Sequence, residues 1–406
     1  MTNIFSNFSL YFKNTWTKTK QRFSKTLPSS NVPFMMIKLV FVDIGYHPVS
    51  KIINYICLAI YMSSFLLEMN FLRLRFSTHL LIKYGCGSSL SVYFISSMTV
   101  AAMTELLAVD LSEGILSSFW PIDFCGPQVK QLILKQSRAD KRMHYVVLLV
   151  FSITGLAMLP IWGDQKEWFL CVQVYEYNFG EWSKIPYYIY FFTFPWVAFS
   201  SLRLPFMMNY AILNLRMQVF LINQKIAKMS NAYDQTTIED VNSQKRIFKN
   251  LRLCISHHIL IKWWLRKFVN HVKFCIPIFV IVGIATSISI VFYLIYSFQQ
   301  VNLVLKIRFL SIACCCWFVI YLFSEAGQSL YEYTEIFHSL ISCRWYIWNV
   351  KNRRILLVFL ANSLEPMTFS LAGITLNYRF ALNMMKTSCS YALILYKLNC
   401  DSQIMD

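Results

Sequence analysis

Apolar residues gather in seven windows, near 51–72, 90–109, 143–162, 186–206, 272–297, 307–324 and 376–397. Each window is about 20 residues long, enough for a helix to cross roughly 30 Å of hydrocarbon. The pattern predicts seven transmembrane helices, the last the least apolar. In "IFKNLRLCISHHILIKWWLRKF", Ile247, Leu251, Ile255 and Ile259 step by four while Lys249, Arg252, Lys262 and Arg266 fall on other faces. That spacing predicts an amphipathic helix running toward the fifth window, packed on extensions of neighbouring spans or lying on anionic lipid. No internal repeat or Pro/Gly/Ser-rich linker divides the chain.

The last window has two faces. At about 100° per residue, Asn383, Lys386, Ser390, Ile394 and Lys397 all fall within about 60° of Arg379. The opposite face carries Ala381, Met384, Met385, Ser388, Ala392 and Leu395. A charge facing lipid near the bilayer centre costs about 2.5 to 3.5 kcal/mol on insertion scales, so several on one stripe imply a watery surface. The stripe reads as a pore-lining face. Two alternatives stand beside it: snorkelling of Lys397 to the outer interface and of Arg379 and Lys386 to the inner one, or a buried polar seam paired with Glu68 or Glu105. One such helix cannot enclose a channel, so a pore requires several chains about a symmetry axis. Ile394 and Leu398, one turn apart beside the stripe, suit a constriction that gates by dewetting.

Composition supports lipid as the solvent. The chain has 406 residues, 56% of them hydrophobic and only 14% charged, too few charges for a soluble surface of this size. The net charge of +18 sits mostly between apolar windows, which fits anionic lipid and not nucleic acid. Basic residues concentrate in the N-terminal segment (Lys13, Lys18, Lys20, Arg22, Lys25, Lys38) and after windows two (Lys130, Lys135, Arg138), four (Arg216, Lys225, Lys228) and six (Arg344, Lys351, Arg353, Arg354). Asp164, Glu167, Glu176 and Glu181 follow window three, and Asp401 and Asp406 end the tail. Arg73, Arg75, Lys83, Lys306 and Arg308 break the pattern but are outnumbered. The expected fold is an all-α membrane protein with seven transmembrane helices, the N-terminus cytoplasmic, the C-terminus extracellular, and helical cytoplasmic extensions forming an anchor region. G-protein-coupled receptors have the opposite orientation, and their Asp/Glu-Arg-Tyr and Asn-Pro-x-x-Tyr motifs are missing here. No cleavable signal is expected at the N-terminus. The sequon Asn7-Phe8-Ser9 falls on the side expected to be cytoplasmic.

The expected segments are 1–50 (cytoplasmic N-terminal segment), 51–215 (spans one to four), 216–271 (cytoplasmic helix), 272–324 (spans five and six), 325–375 (anchor), 376–398 (pore-lining span) and 399–406 (extracellular tail). Cys314, Cys315 and Cys316 read as small packing residues, and the 12 cysteines form no metal spacing; Cys86 and Cys171 could meet outside the cell. His257, His258 and His271 have no carboxylate at ligand spacing, and no phosphate loop or nucleophile elbow occurs, so neither enzyme nor cofactor is expected.

The stretches "FSEAGQSLYEYTEIFHSLISCRWYIW" (323–348), "RRILLVFLANSLEPMTFSLAG" (353–373) and "FALNMMKTSCSYALILYKL" (380–398) together resemble the insect odorant receptor family. The resemblance implies a tetrameric, ligand-gated, non-selective cation channel in which span seven lines the pore. Cytoplasmic extensions would make most subunit contacts, and a shared co-receptor subunit would be the partner. Lacking the long insertion between spans four and five, this chain resembles a ligand-tuning subunit and not the co-receptor. Ile394 and Leu398 align with the family's gate positions, and Lys397 replaces a polar neutral residue. Four lysines around one pore would repel cations, which favours a minority subunit diluted by co-receptors. Gustatory receptors, the sister family, remain the alternative, although their Thr-Tyr and Gln-Phe ending is absent. The implied location is the plasma membrane of a sensory neuron dendrite.

A volatile odorant calls for a small, mostly apolar cavity with one or two polar groups. By loose resemblance to the family's pocket, its walls are expected at Leu90, Tyr93 and Phe94 on span two, Ser152, Gly155 and Leu159 on span three, and Tyr293 and Tyr296 on span five. Phe192 and Trp196 on span four would complete an aromatic wall. The pore and gate set is Asn383, Lys386, Ser390, Ile394, Lys397 and Leu398.

Overall fold

The computed structural model describes residues 34–162, 165–232, 240–296, 303–332, 336–364, 367–371 and 374–405. Lys13, Lys18, Lys20, Arg22, Lys25, the Asn7 sequon, Asp164 and Asp406 lie outside them, whereas Lys38 lies inside and is buried. Among the described residues nine long helices carry the fold: α1 (Pro48–Leu74), α2 (Thr78–Met103), α3 (Pro127–Ala157), α4 (Phe194–Ala232), α5 (Val241–Val272), α6 (Cys275–Tyr296), α7 (Leu303–Glu332), α8 (Val350–Ser363) and α9 (Tyr378–Met405). Each apolar window falls on one of these helices, and the fourth begins on the short helix Lys184–Phe192 before α4. Among the described residues, Pro48–Leu74, Leu80–Met103, Cys275–Tyr296 and Leu303–Tyr331 are long and apolar enough to cross a membrane.

Helix starts follow local chemistry. His47 Nδ1 accepts the Val49 N–H at 3.3 Å ahead of Pro48, whose missing N–H is no loss in a first turn. Asp240 opens α5 by accepting from Asn242 and Ser243, and Asn349 opens α8 by accepting from Asn352 at 2.9 Å. Those hydrogen bonds, with that to the Ser243 hydroxyl, hold the Asp240 carboxyl below its usual range.

Side-chain placement in α1 is inside out relative to a soluble helix. Its buried face is Ser50, Asn54, Cys57, Tyr61, Ser64, Glu68 and Phe71, while Ile52, Tyr55, Ile56, Met62, Leu66 and Met69 are exposed. Small and polar residues meet neighbouring helices and apolar ones face outward, the distribution lipid demands. The inner contacts are specific: Asn54 Nδ2 donates to the Met98 carbonyl at 3.1 Å and Ser200 Oγ donates to Asn54 Oδ1 at 3.0 Å, joining α1, α2 and α4.

Helix α4 is the axis of the bundle, packing on α2, α3, α5 and α7. Every residue from 200 to 215 is buried. Phe206 stacks on Phe41 at 4.1 Å, and the Arg203 guanidinium lies 5.2 to 5.8 Å from the rings of Trp196, Phe199 and Tyr46. The sequence pattern alone gave no sign of that buried arginine.

Several boundaries differ from the periodicity. Helix α2 starts at Thr78 and ends at Met103, earlier than its 90–109 window, and the chain continues after Thr104 as the short helix Glu105–Val109. Its first turns are rich in Gly and Ser, which lowers hydropathy but permits close packing: a Cβ on Gly87 would sit 2.6 Å from the Trp168 carbonyl oxygen. In α5 the buried line is Ile247, Leu251, Cys254, His258, Ile261, Leu265, Phe268 and Val272, while Ile255 is half-buried and Ile259 exposed. Steps of four drift about 40° each on a helix, so the expected isoleucine stripe rotates off the packed face, whereas alternating steps of three and four stay on it.

Two of the basic residues that broke the charge pattern have local partners. Arg308 Nε donates to the Ala157 carbonyl at 2.9 Å, capping the C-terminal end of α3, and Arg75 covers the Tyr177 ring at 4.7 Å. Cys86 and Cys171 are separate, buried free thiols. Residues 399–405, expected as a tail, continue the helix of α9.

Candidate ligand cleft and pore-facing helix

Helix α9 rests on α6 and α7 through one face only. Met384, Ser388 and Ala392 are buried there, with Ser388 Oγ donating back to the Met384 carbonyl at 2.8 Å. Arg379, Asn383, Lys386, Ser390, Ile394 and Lys397 are all exposed, so the polar stripe points away from the rest of the chain. Toward its end the helix loses even its inner contacts: between 391 and 398 Ala392 alone is buried, and Leu398 is 61% exposed.

The carboxylates that might have neutralised this stripe are engaged elsewhere. Glu68 accepts from Ser88 Oγ at 3.3 Å, and Glu105 forms an ion pair with Lys51. The buried-seam alternative therefore finds neither of its two partners on α9.

Behind α9 lies a narrow, partly open cleft between α2, α6, α7 and α9. Tyr93, Phe279, Thr286, Cys316, Phe323 and Met384 are among its walls. Tyr93 meets Phe279 edge to face at 5.4 Å, and Thr286 Oγ1 donates to the Val282 carbonyl at 2.9 Å. A second narrow cleft shares Ser287, Cys316 and Ile320 with the first and adds Trp317, Met385, Ser388 and Cys389. Together they form an apolar crevice running along the inner face of α9, with hydroxyl and thiol groups spaced through it.

Of the ten residues expected around a ligand, Tyr93 lines this crevice. Leu90 and Phe94 are buried in the neighbouring aromatic core, where Phe94 meets Phe194 edge to face at 5.1 Å. Tyr293 packs on Phe309 at 4.6 Å, and Tyr296 stacks with Phe292 at 5.8 Å. Gly155 seats α4 instead of opening a cavity, because a Cβ there would lie 3.2 Å from Pro195 Cα. Trp196 packs beside Arg203, Leu159 is half-buried, and Ser152 and Phe192 are exposed on the outside. Sequence reasoning put the α6 contribution at Tyr293 and Tyr296 and missed the stretch of that helix that lines the crevice, which includes Phe279, Gly283, Thr286 and Ser287. Its signal was faint but present: Gly283, Thr286 and Ser287 interrupt a helix otherwise made of branched and aromatic residues.

At the base, α5 and α8 are fastened by buried polar groups. Asn352 Nδ2 donates to the Gln244 carbonyl at 3.0 Å and to Gln244 Oε1 at 2.9 Å, and Gln244 Nε2 donates to the Ile347 carbonyl at 3.1 Å. His257 Nε2 meets Gln218 Oε1 at 2.9 Å while its ring stacks on Trp120 at 4.0 Å. Burial lowers the His257 pKa to about 4, with the neighbouring His258 adding to it, so both ring nitrogens are not protonated together at neutral pH. Lys267 and His271 contact Asp110 at 2.7 and 2.8 Å. Among the described residues no group of three or more His, Cys, Asp or Glu side chains could hold a metal.

Comparison with known proteins fits this geometry. The sequence model described as "7tm Odorant receptor" matches residues 128–389. No curated protein matches the sequence. The structure of the insect olfactory receptor OR5 from Machilis hrabei superposes with a TM-score of 0.63 at 12% identity, covering 89% of this chain and 97% of that one. The same receptor in complex with eugenol gives a TM-score of 0.60 at 12% identity, covering 92% and 93%. With the family match spanning more than half of its length, this multi-pass membrane protein belongs to the insect odorant receptor family.

Proposed function

We propose that the chain is the odorant-binding subunit of a ligand-gated, non-selective cation channel, assembled as a heterotetramer with a co-receptor in the plasma membrane of sensory dendrites. The N-terminus is cytoplasmic, seven helices span the bilayer, and α9 lines the shared pore. One observation carries this reading: α9 turns its charged stripe outward while its opposite face backs onto an apolar crevice. A charged stripe needs water and an exposed apolar helix end needs neighbours; a ring of α9 helices about a central axis supplies both.

The crevice suits a small, mostly apolar volatile with one or two polar groups, the class to which the eugenol of the Machilis hrabei complex belongs. A ligand seated among Tyr93, Phe279 and Met384 wedges α9 against α6 and α7. Outward movement of α9 then widens the ring at Ile394 and Leu398 and wets it. Lys397 lies one residue from the gate, and a cation path tolerates one or two such lysines better than four.

The test is whole-cell current from cells expressing the chain with and without an odorant co-receptor, during an odorant panel and with G-protein signalling blocked. A fast cation current that requires both chains is expected. Current abolished by the block overturns the channel reading.

A further inference from the structure

A side-chain hydrogen bond joins α9 to α7 at the end of the crevice. The Tyr378 hydroxyl, in the first turn of α9, donates to Glu325 Oε2 on α7. Glu325 Oε1 accepts from Ser329 Oγ at 3.3 Å, which fixes the carboxylate on its own helix. Two residues on, Gly327 admits the backbone of Leu376, whose carbonyl oxygen occupies the space a Cβ would need. The first turn of α9 is itself closed by Asn377 Oδ1, which accepts from Phe380 N–H at 2.8 Å. Phe323, Leu376 and Phe380, immediately beside these contacts, line the crevice.

We propose that Glu325 and Tyr378 form a latch that passes ligand-driven movement of α7 to the pore helix, with Gly327 as its seat. The inference rests on the channel reading above. A side chain in the crevice floor cannot move without moving a residue within three positions of the latch, because Phe323 precedes Glu325 and Leu376 and Phe380 flank Tyr378. The latch makes α7 and the start of α9 one mechanical unit; without it α7 can shift while α9 stays. Glu325 and Tyr378 are positioning residues and touch no permeant ion.

The experiment expresses the full chain with co-receptor and records current at saturating odorant, normalised to surface density. Tyr378→Phe, which removes a single oxygen, and Glu325→Leu should each lower the evoked current about fivefold, the size of one net hydrogen bond. The double variant should fall no further than Glu325→Leu alone, since that change already removes the Tyr378 contact. Glu325→Gln, whose amide oxygen still accepts from Tyr378, should retain most of the wild-type current. Currents from Tyr378→Phe and Glu325→Leu within twofold of wild type, or losses that multiply in the double variant, overturn the latch while leaving the channel reading intact. A wild-type chain that gives no current with the co-receptor overturns both.

Discussion

Helices α4 and α9 are both long and both contain charged residues, yet the protein treats them oppositely. Sixteen consecutive residues of α4, from 200 to 215, are buried, Arg203 among them. Along α9, from 389 to 398, Ala392 is the one buried position. On α4 the Arg203 charge is enclosed by three aromatic rings of the same chain, whereas Arg379, Lys386 and Lys397 point away from it. A helix stretch enclosed by its own chain supplies stability; one that leaves a polar face open is available to water or to other chains. Core and working surface are thus separate helices, with the crevice between α9 and its neighbours as the boundary.

Substitutions can break that contrast in order of size. Phe206→Ala in α4 should cost about 3 to 5 kcal/mol, because a ring that stacks on Phe41 leaves a cavity no neighbour can fill. A sharp fall in thermal midpoint and in surface delivery should follow, while Leu393→Ala on α9 changes neither. Asn352→Ala at the base should cost about 1 to 3 kcal/mol by stranding Gln244, read as a lower unfolding midpoint in detergent.

Tyr93→Ala, at the boundary, should raise the half-maximal odorant concentration about tenfold with surface density unchanged, as expected for losing one aromatic wall. The base should also respond to acid. His257 has a folded pKa near 4, below its unfolded value, so between about pH 6.5 and 4 the unfolded chain binds more protons. Stability is full above that window and falls as pH drops through it, by on the order of 1 kcal/mol, and His257→Gln should flatten this dependence. The smallest expected effect is on conduction. Lys397→Gln should raise single-channel cation conductance about twofold by removing a like charge beside the path, while leaving thermal stability unaltered. No change in conductance would argue that the stripe does not face the permeant ions.

How much was legible can be argued from single residues. The stripe on α9 was readable because it depends on spacing within one helix: Arg379, Asn383, Lys386, Ser390, Ile394 and Lys397 share a face in any α-helix, and the structure leaves that face open. Helix locations followed similarly from hydropathy, with errors where packing outweighed composition, as in the Gly- and Ser-rich start of α2. The walls of the crevice were far less legible. Tyr93 lines the crevice but Ser152 and Phe192 lie outside, because facing inward depends on how a helix is rotated against its neighbours. Helical periodicity says which residues go together and not which way they face.

By itself, then, the sequence determined the helical class, the seven apolar windows, the two-faced last helix and a family resemblance that comparison upheld. These are local or compositional properties, set by solvent and by 3.6-residue periodicity. The tertiary structure decided which face of α1 turns outward, why Arg203 can be buried, that Glu68 and Glu105 are engaged away from the stripe, and that the crevice opens against α9. Each of those depends on contacts between residues far apart in the chain, where shape and hydrogen-bond partners, and not hydrophobicity alone, determine the neighbour.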